Sequence, residues 1–443
     1  MLVMGVLAGT AFQVSARETA LTIYTADCAV VRLIDEMSFE KGLKTLSFTG
    51  ISKSIDPTSV RFSTVKSGIH IVEQNFRYDL AGSHRVLERY IDRDITLITG
   101  DGVVIEGTLM SITEDIVVQQ KEGGLTVVRA DAVKQYSLPE LPEGLISHPT
   151  LFWLVYSDMT RTTDTEISYI TYGLGWQADY TAVVNDDETG MELSSWVTII
   201  NNSGVSYENA ALKLVAGDLN IVRPEPRLKR DLMFAAQVAD EEYGKGFEER
   251  GLLEYHLYEL QGKTTVGDSE TRQIALFPPS EVRVEKRLLF DQRKNNGKVA
   301  VAIEFVNSEA EGLGMPLPAG KVRVYKRDTD RAIEFVGEDM LDHTPKNERR
   351  RLTIGSSFDV VAERTILDTR HISQTVREET VSIQFRNRKE EAVQVTAIEH
   401  LYGDWDIIEQ SDRFEKKDAF TAECTVAVPA DAEKTVTFTV RYR

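Results

Sequence analysis

Apolar side chains recur at every second position from one end of this chain to the other. Leu21-Thr22-Ile23-Tyr24 and Val60-Arg61-Phe62-Ser63 alternate, and so do Val381, Ile383 and Phe385 with Ser382 and Gln384 between them. Val436-Thr437-Phe438-Thr439-Val440 closes the chain in the same way. A strand points successive side chains to opposite faces, so this period predicts half-buried strands of antiparallel sheets. Helical spacing is scarce. Its best instance is Ser83–Tyr90, with Ser83 placed as N-cap and Val86, Leu87 and Tyr90 on one face. The chain reads as mainly β.

A length of 443 residues suggests two to four domains at about 100–200 residues each. Residues 17–90 read as an N-terminal β domain, a small sandwich of several strands. Residues 91–138 read as five short strands: Asp94–Thr99, Val103–Ile112, Ile116–Gln120, Leu125–Arg129 and Val133–Tyr136. Gly100-Asp101-Gly102 makes a hairpin turn between the first two, and Gly107 marks a bend or bulge. This pattern predicts a small closed barrel of the Sm-like or SH3-like kind. The two prolines of Leu138–Gly144 make a linker. Residues 150–337 read as a central β-sandwich and 338–443 as a C-terminal immunoglobulin-like sandwich. Arg223–Arg250 breaks the strand pattern and reads as an insertion around one apolar patch, Leu232-Met233-Phe234. An apolar patch in a polar insertion is a candidate partner contact.

Leu2–Phe12 is an uncharged apolar run of eleven residues, shorter than the ~20 a membrane-spanning helix needs. Val14-Ser15-Ala16 follows, which predicts a signal peptide over residues 1–16 cut before Arg17. The n-region is atypical, because no Lys or Arg precedes the apolar run. The expectation is an exported chain, periplasmic or secreted, with no transmembrane segment. Cys28 and Cys424 are the two cysteines. They exclude a disulfide scaffold and read as separate small hydrophobes or as one pair. With 51 basic and 70 acidic side chains the formal charge is −19, which argues against nucleic acid and anionic lipid as partners.

A weak internal echo runs through the alternation. Val197–Asn202, Ala302–Asn307 and Val381–Asn387 each end a strand on asparagine, then turn into another strand. Asparagine tolerates the backbone that closes such strands. Longer strings carry a resemblance. They are Tyr169-Ile170-Thr171-Tyr172-Gly173-Leu174-Gly175-Trp176-Gln177-Ala178-Asp179-Tyr180, then Trp196-Val197-Thr198-Ile199-Ile200-Asn201-Asn202-Ser203-Gly204, then Leu214-Val215-Ala216-Gly217-Asp218. Phe335-Val336-Gly337-Glu338-Asp339, His343-Thr344-Pro345 and Gly403-Asp404-Trp405 add to them. Over residues 145–443 the chain resembles the bacterial family of domain of unknown function 4139, whose relatives include mucoidy-inhibitor-like proteins. The resemblance implies an exported, β-rich bacterial protein, and no reaction, cofactor or catalytic residue. Gly173, Gly175, Trp176, Asp179, Tyr180, Trp196, Gly217 and Asp218 are its signature positions here, read as structural. Those relatives carry a central coiled coil, whereas no sustained heptad appears in this chain.

Chemistry-bearing motifs are few. Gly173-Leu174-Gly175-Trp176-Gln177-Ala178 matches G-x-G-x-x-A, but a strand follows it where a dinucleotide site needs a helix. It reads as a glycine turn pinning a buried tryptophan. Gly312-Leu313-Gly314 fails likewise, with Pro316 and Pro318 next. Seven histidines are scattered outside any zinc motif. Glu254 and His256 read as one strand face and half a metal site at most. Asp342-His343 has no partnering nucleophile elbow and shapes a turn instead. Asn185-Asp186-Asp187-Glu188 reads as a solvated hairpin tip rather than a calcium loop. Lys346, Arg349, Arg350 and Arg351 form the one dense basic cluster, read as an exposed loop that could meet phosphate or an acidic polysaccharide. Trp153, Trp176, Trp196 and Trp405 read as core.

The reading this supports is an exported, non-catalytic β-rich protein with no cofactor and no metal, a scaffold or protein-interaction module of the cell envelope. Its partner would be an envelope protein or polysaccharide. A hydrolase or carbohydrate-active enzyme on a β-sandwich is one alternative, requiring two carboxylates across a cleft. A polysaccharide-binding, adhesin-like protein is another, requiring exposed aromatic platforms.

Overall fold

The computed structural model describes residues 10–12, 18–78, 83–139, 146, 148–217, 219–221, 246–294, 297–328 and 332–443. The expected cleavage motif at Val14–Ala16, the expected signature position Asp218 and the patch Leu232, Met233 and Phe234 lie outside the described residues. Strands dominate and helices are minor. Two compact units divide the chain. The first comprises residues 1–176, 199–215 and 259–271, the second residues 177–198, 216–258 and 272–443.

One sheet of the first unit orders Thr10–Phe12, Gly42–Phe48, Thr150–Ser157 and Ile69–Arg77 side by side. Trp153 fills its core at 0% exposure, stacked on Phe48 at 5.3 Å and met edge-on by Phe62 at 5.5 Å. Its buried indole N–H donates to the Gln74 side-chain oxygen at 2.8 Å, so the ring is buried without an orphaned donor. A second sheet places Tyr207–Ala216, Glu18–Tyr24, Cys28–Phe39, Arg161–Tyr172 and Arg61–Thr64 in that order. Leu21 and Ile23 are fully buried there, as their alternation requires.

The third sheet of this unit holds the five strands expected between 91 and 138. They run Leu125–Val128, Ile116–Gln120, Val104–Ser111, Asp94–Thr99 and Val133–Ser137. Contrary to the expected closed barrel, the sheet is open, with Leu125–Val128 and Val133–Ser137 at opposite edges. A short 3-10 turn at Ala130–Ala132 carries the chain from one edge to the other without pairing them. The irregularity expected at Gly107 falls between Leu109 and Ser111 instead. Gly107 serves close packing, because a Cβ there would collide with the Gln119 carbonyl oxygen. Leu87 and Tyr90, from the short helix Ser83–Glu88 and the turn after it, pack with Leu97, Leu109 and Val118 in one core.

In the second unit the long sheet runs Ile333–Leu341, Gly320–Arg327, Leu174–Val184, Gly190–Asn201, Glu270–Asp291, Val393–His400, Thr421–Val428 and Glu415–Lys416. Val299–Val306 pairs with Glu270–Asp291 on one side and Arg349–Ser356 on the other. A four-stranded sheet, Val360–His371, Arg377–Asn387, Ala432–Tyr442 and Trp405–Gln410, supplies the other face of the C-terminal core. Val381, Ile383 and Phe385 from this sheet meet Val395, Ala397 and Val426 in it. Those are the alternate positions of the sequence pattern.

Pairing is mixed rather than purely antiparallel. Glu18–Tyr24 lies parallel to Tyr207–Ala216, Ala178–Val184 to Gly320–Lys326, and Leu288–Asp291 to Val395–Ile398. Alternation fixes which face a side chain takes but not the direction of the neighbouring strand. Thr10–Phe12, the end of the N-terminal apolar run, is also parallel to its partner Leu46–Phe48. Around residue 253 the chain forms two strands rather than one: Phe247–Leu252 ends, Leu253 takes a φ of 54°, and Tyr255–Val266 begins.

Candidate functional site

The glycines read as signature positions sit at close approaches, two to backbone and one to a ring. Gly173 turns the chain at φ 75° between Arg161–Tyr172 and Leu174–Val184, and a Cβ on it would lie 3.3 Å from the Asn202 carbonyl. Gly175 would meet the Asp27 Cα at 3.1 Å. Gly217, at φ 138°, lies against the Tyr255 ring. Trp176 is 3% exposed, and its indole N–H donates to the Val215 carbonyl at 3.2 Å. The G-x-G-x-x-A match is therefore a turn that packs a tryptophan, with a strand after it.

In the second unit Tyr180, read as a signature position, points to a proline-rich segment, Met315–Ala319. Proline has no N–H, so such a segment cannot satisfy itself by ladder bonds. Side chains and one bridge do so instead. The Asn307 amide donates to the Met315 carbonyl at 2.7 Å. The Tyr258 hydroxyl donates to the Pro316 carbonyl at 3.0 Å, and the Tyr180 hydroxyl to the Pro318 carbonyl at 2.7 Å. Leu317 and Thr344 exchange backbone bonds of 2.9 Å each way. The Ala319 N–H donates to His343 Nδ1 at 3.1 Å. Burial pushes both phenols, Tyr180 and Tyr258, well above the ordinary tyrosine range, so they remain neutral donors. Beside His343, Thr344 thus bridges to Leu317 within the second unit, and Gly312–Gly314 opens the same segment.

Asp179 precedes Tyr180 in the strand, near the start of the pairing with Gly320–Lys326. It is 9% exposed. The Thr198 hydroxyl donates to its carboxylate at 2.7 Å and the Gln177 amide at 3.2 Å, with Arg323 at 3.6 Å. Gln273 in turn donates to the Thr198 hydroxyl oxygen at 3.1 Å. The carboxylate gathers three neighbours directly and a fourth through Thr198. Trp196 is half-buried, unlike Trp153, Trp176 and Trp405, which are core as expected.

Other candidates are dispersed. His256 contacts Glu249 at 2.7 Å, and Glu254 sits in the turn before its strand, so the paired face expected for them does not form. Glu188 is no solvated tip: it lies between Lys286 and Lys326. Burial raises its pKa, but the two ammonium groups outweigh that and hold it below the usual carboxylate range. The three arginines of the basic cluster lie on strand Arg349–Ser356 rather than in a loop, where alternation splits them, while Lys346 sits in the turn before it. Arg350 turns to the Thr344 hydroxyl and the His343 carbonyl, while Arg349 and Arg351 reach Glu304. Lys346 pairs with Glu309 at 2.5 Å. Among the described residues no group of three or more His, Cys, Asp or Glu side chains is placed to hold a metal ion.

Sequence reasoning missed Tyr258, Thr198 and Gln273. Nothing in the local alternation marks them, because their partners lie 19 to 75 residues away in the chain. A concavity of about 420 Å³ on the four-stranded sheet carries Asp368, Glu409, Thr380, Ser411, Thr437 and Thr439. Asp368 is tied to Arg370 at 2.6 Å. No described helix is long and apolar enough to cross a membrane.

The sequence model of the family described as Domain of unknown function (DUF4139) matches residues 165–443. No curated protein matches the chain.

Proposed function

The chain belongs to the DUF4139 family, and from that membership we propose that it is an exported, non-catalytic scaffold or protein-interaction module of the cell envelope. The observation that carries this reading is what the described signature residues touch. Gly173, Gly175 and Gly217 admit close packing, Trp176 and Tyr180 donate to main-chain carbonyls, and Asp179 is enclosed by side chains of its own unit. A family whose shared residues hold backbone in place shares a framework, and its binding is left to surfaces. The outer strand Ile333–Leu341 supports this, with Ile333, Phe335 and Met340 each more than half exposed. Exposed apolar rows on a sheet edge suit a protein partner.

In this reading the C-terminal sheets form an immunoglobulin-like sandwich, within the four β units drawn from the sequence. Export rests on the apolar run and the Val14–Ala16 motif. Expression of the full chain in a bacterium, followed by fractionation and N-terminal sequencing, tests it. A chain outside the cytoplasm that begins at Arg17 is expected. A cytoplasmic chain that begins at Met1 overturns export. The second reading, carbohydrate binding or processing, is favoured by the hydroxyl-lined concavity with Asp368 and Glu409.

A further inference from the structure

Glu304 is a carboxylate surrounded by more positive charge than it needs. It sits on the middle strand of three, and its side chain is 6% exposed. Arg351 places both Nε and Nη2 on its Oε1 at 2.6 Å. Arg287 Nε lies 3.2 Å from Oε2, and Arg349 Nη1 lies 3.6 Å from the same atom. Burial raises the pKa of Glu304, but the Arg351 and Arg287 guanidiniums outweigh it and keep the group charged. Three cations therefore share one buried anion. Glu285 pairs with Arg287 at 2.9 Å and is 56% exposed.

The register explains why the charges gather. Glu285, Glu304 and Arg351 lie opposite one another across the three strands, and Arg349 flanks Arg351 on the same face. Arg283 is exposed two positions before Glu285, on that face too. Ala302 beside Glu304 contributes no bulk. The same face runs into a concavity of about 230 Å³ lined by Glu285, Arg287, Gln394, Thr396 and Thr425.

A guanidinium has five N–H donors in a planar fork, and Glu304 takes at most two from each arginine. The buried carboxylate orients the forks and leaves donors turned to solvent, Arg349 most of all at 62% exposure. In a chain of net charge −19, a local excess of cations this ordered is a recognition feature rather than a solubility one. We propose that the face formed by Arg287, Arg349 and Arg351 around Glu304 binds an oxyanion group of a small ligand, a phosphate ester or the carboxylate of an acidic sugar. The proposal goes beyond the envelope reading and stands whether or not the chain is exported.

Titration calorimetry of the full chain at constant ionic strength tests it, with inorganic phosphate in one arm and D-glucuronate in the other. Saturable binding of phosphate alone assigns a phosphate ester, of glucuronate alone an acidic sugar, and of both the shared oxyanion chemistry. Arg349→Gln, the least buried of the three arginines, should weaken that binding about tenfold, the effect of one charge-assisted contact. Arg349→Lys should recover part of it, since an ammonium keeps the charge and loses the fork. Absence of saturable binding in both arms overturns the site, and so does equal affinity in Arg349→Gln, whose fold is checked by an unchanged urea midpoint.

Discussion

Asn201 and Asn387 make the same set of hydrogen bonds, each at 0% exposure and each at the end of its strand. The Asn201 amide donates to the Val205, Val266 and Gly267 carbonyls at 2.9, 3.4 and 2.8 Å. The Asn387 amide donates to Glu391, Val428 and Pro429 at 2.8, 3.3 and 2.9 Å. In both, the side-chain oxygen accepts the N–H two residues on, from Ser203 or Lys389. Asn307 repeats the pattern on Met315, Thr344 and Pro345. Asn201 and Asn387 each latch their own turn to two consecutive carbonyls at the end of another strand, and Asn307 latches its turn to two consecutive carbonyls at the Leu317–Thr344 bridge.

Removing a latch leaves buried carbonyls without donors, at ~1–3 kcal/mol for each group left unsatisfied. Asn387→Ala should therefore lower stability by about 2–4 kcal/mol. Asn387→Asp should lower it further, because a carboxylate would face three carbonyl oxygens. Urea unfolding checks both. An aspartate variant as stable as the parent would contradict the latch.

Tyr180 and Tyr258 tie neighbouring carbonyls of one segment, Pro318 and Pro316. Tyr180→Phe and Tyr258→Phe should each cost about 1–2 kcal/mol. Because both act on the same rigid segment, the double variant should lose less than the sum. Strict additivity in a double-mutant cycle would contradict a shared clamp.

Of the four tryptophans, Trp153, Trp176 and Trp405 are buried and Trp196 is half-buried. Trp196→Phe should remove most of the acrylamide-quenchable fluorescence and shift emission to the blue. Substitution of Trp153 should do neither while the fold persists.

Two buried carboxylates respond to pH in opposite directions. Burial raises the Glu304 pKa, but the arginines outweigh it and the folded value lies below the ordinary one. Its stabilising contribution is present above the ordinary glutamate range and lost as pH falls through the folded value. Burial raises Glu399 above the ordinary value despite its contact with Arg364. Its contribution is present below that range and lost as pH rises through the folded value. Glu304→Gln should cost about 1–3 kcal/mol at neutral pH, reduced because its arginines can turn to water, and should flatten the acid limb of stability against pH. Glu399→Gln should remove an opposing slope. Unfolding midpoints between pH 3 and 7 check both.

The alternation made the β class and many of the strands legible: Asp94–Thr99 and Ile116–Gln120 fall where the pattern places them. The three asparagines were visible as strand ends, but not as latches, because their acceptors lie 4 to 66 residues away. Parallel pairing and the open edges of the five-stranded sheet were not legible, since side-chain period is blind to strand direction and closure. The basic run showed the reverse problem. Four neighbouring charges looked like one loop, and the same period sends Arg350 to one face and Arg349 and Arg351 to the other.

Asp179 has the most chemical capacity among the residues read as the family signature, and its role decides whether they form a framework or a reactive site. A carboxylate kept for a ligand costs the fold something, so its removal leaves stability unchanged or raises it. A carboxylate that satisfies Thr198, Gln177 and Arg323 supports the fold. The urea midpoint of Asp179→Ala is therefore the direct measurement: a loss of about 1–3 kcal/mol is expected, and a midpoint equal to or above that of the parent chain would contradict the account.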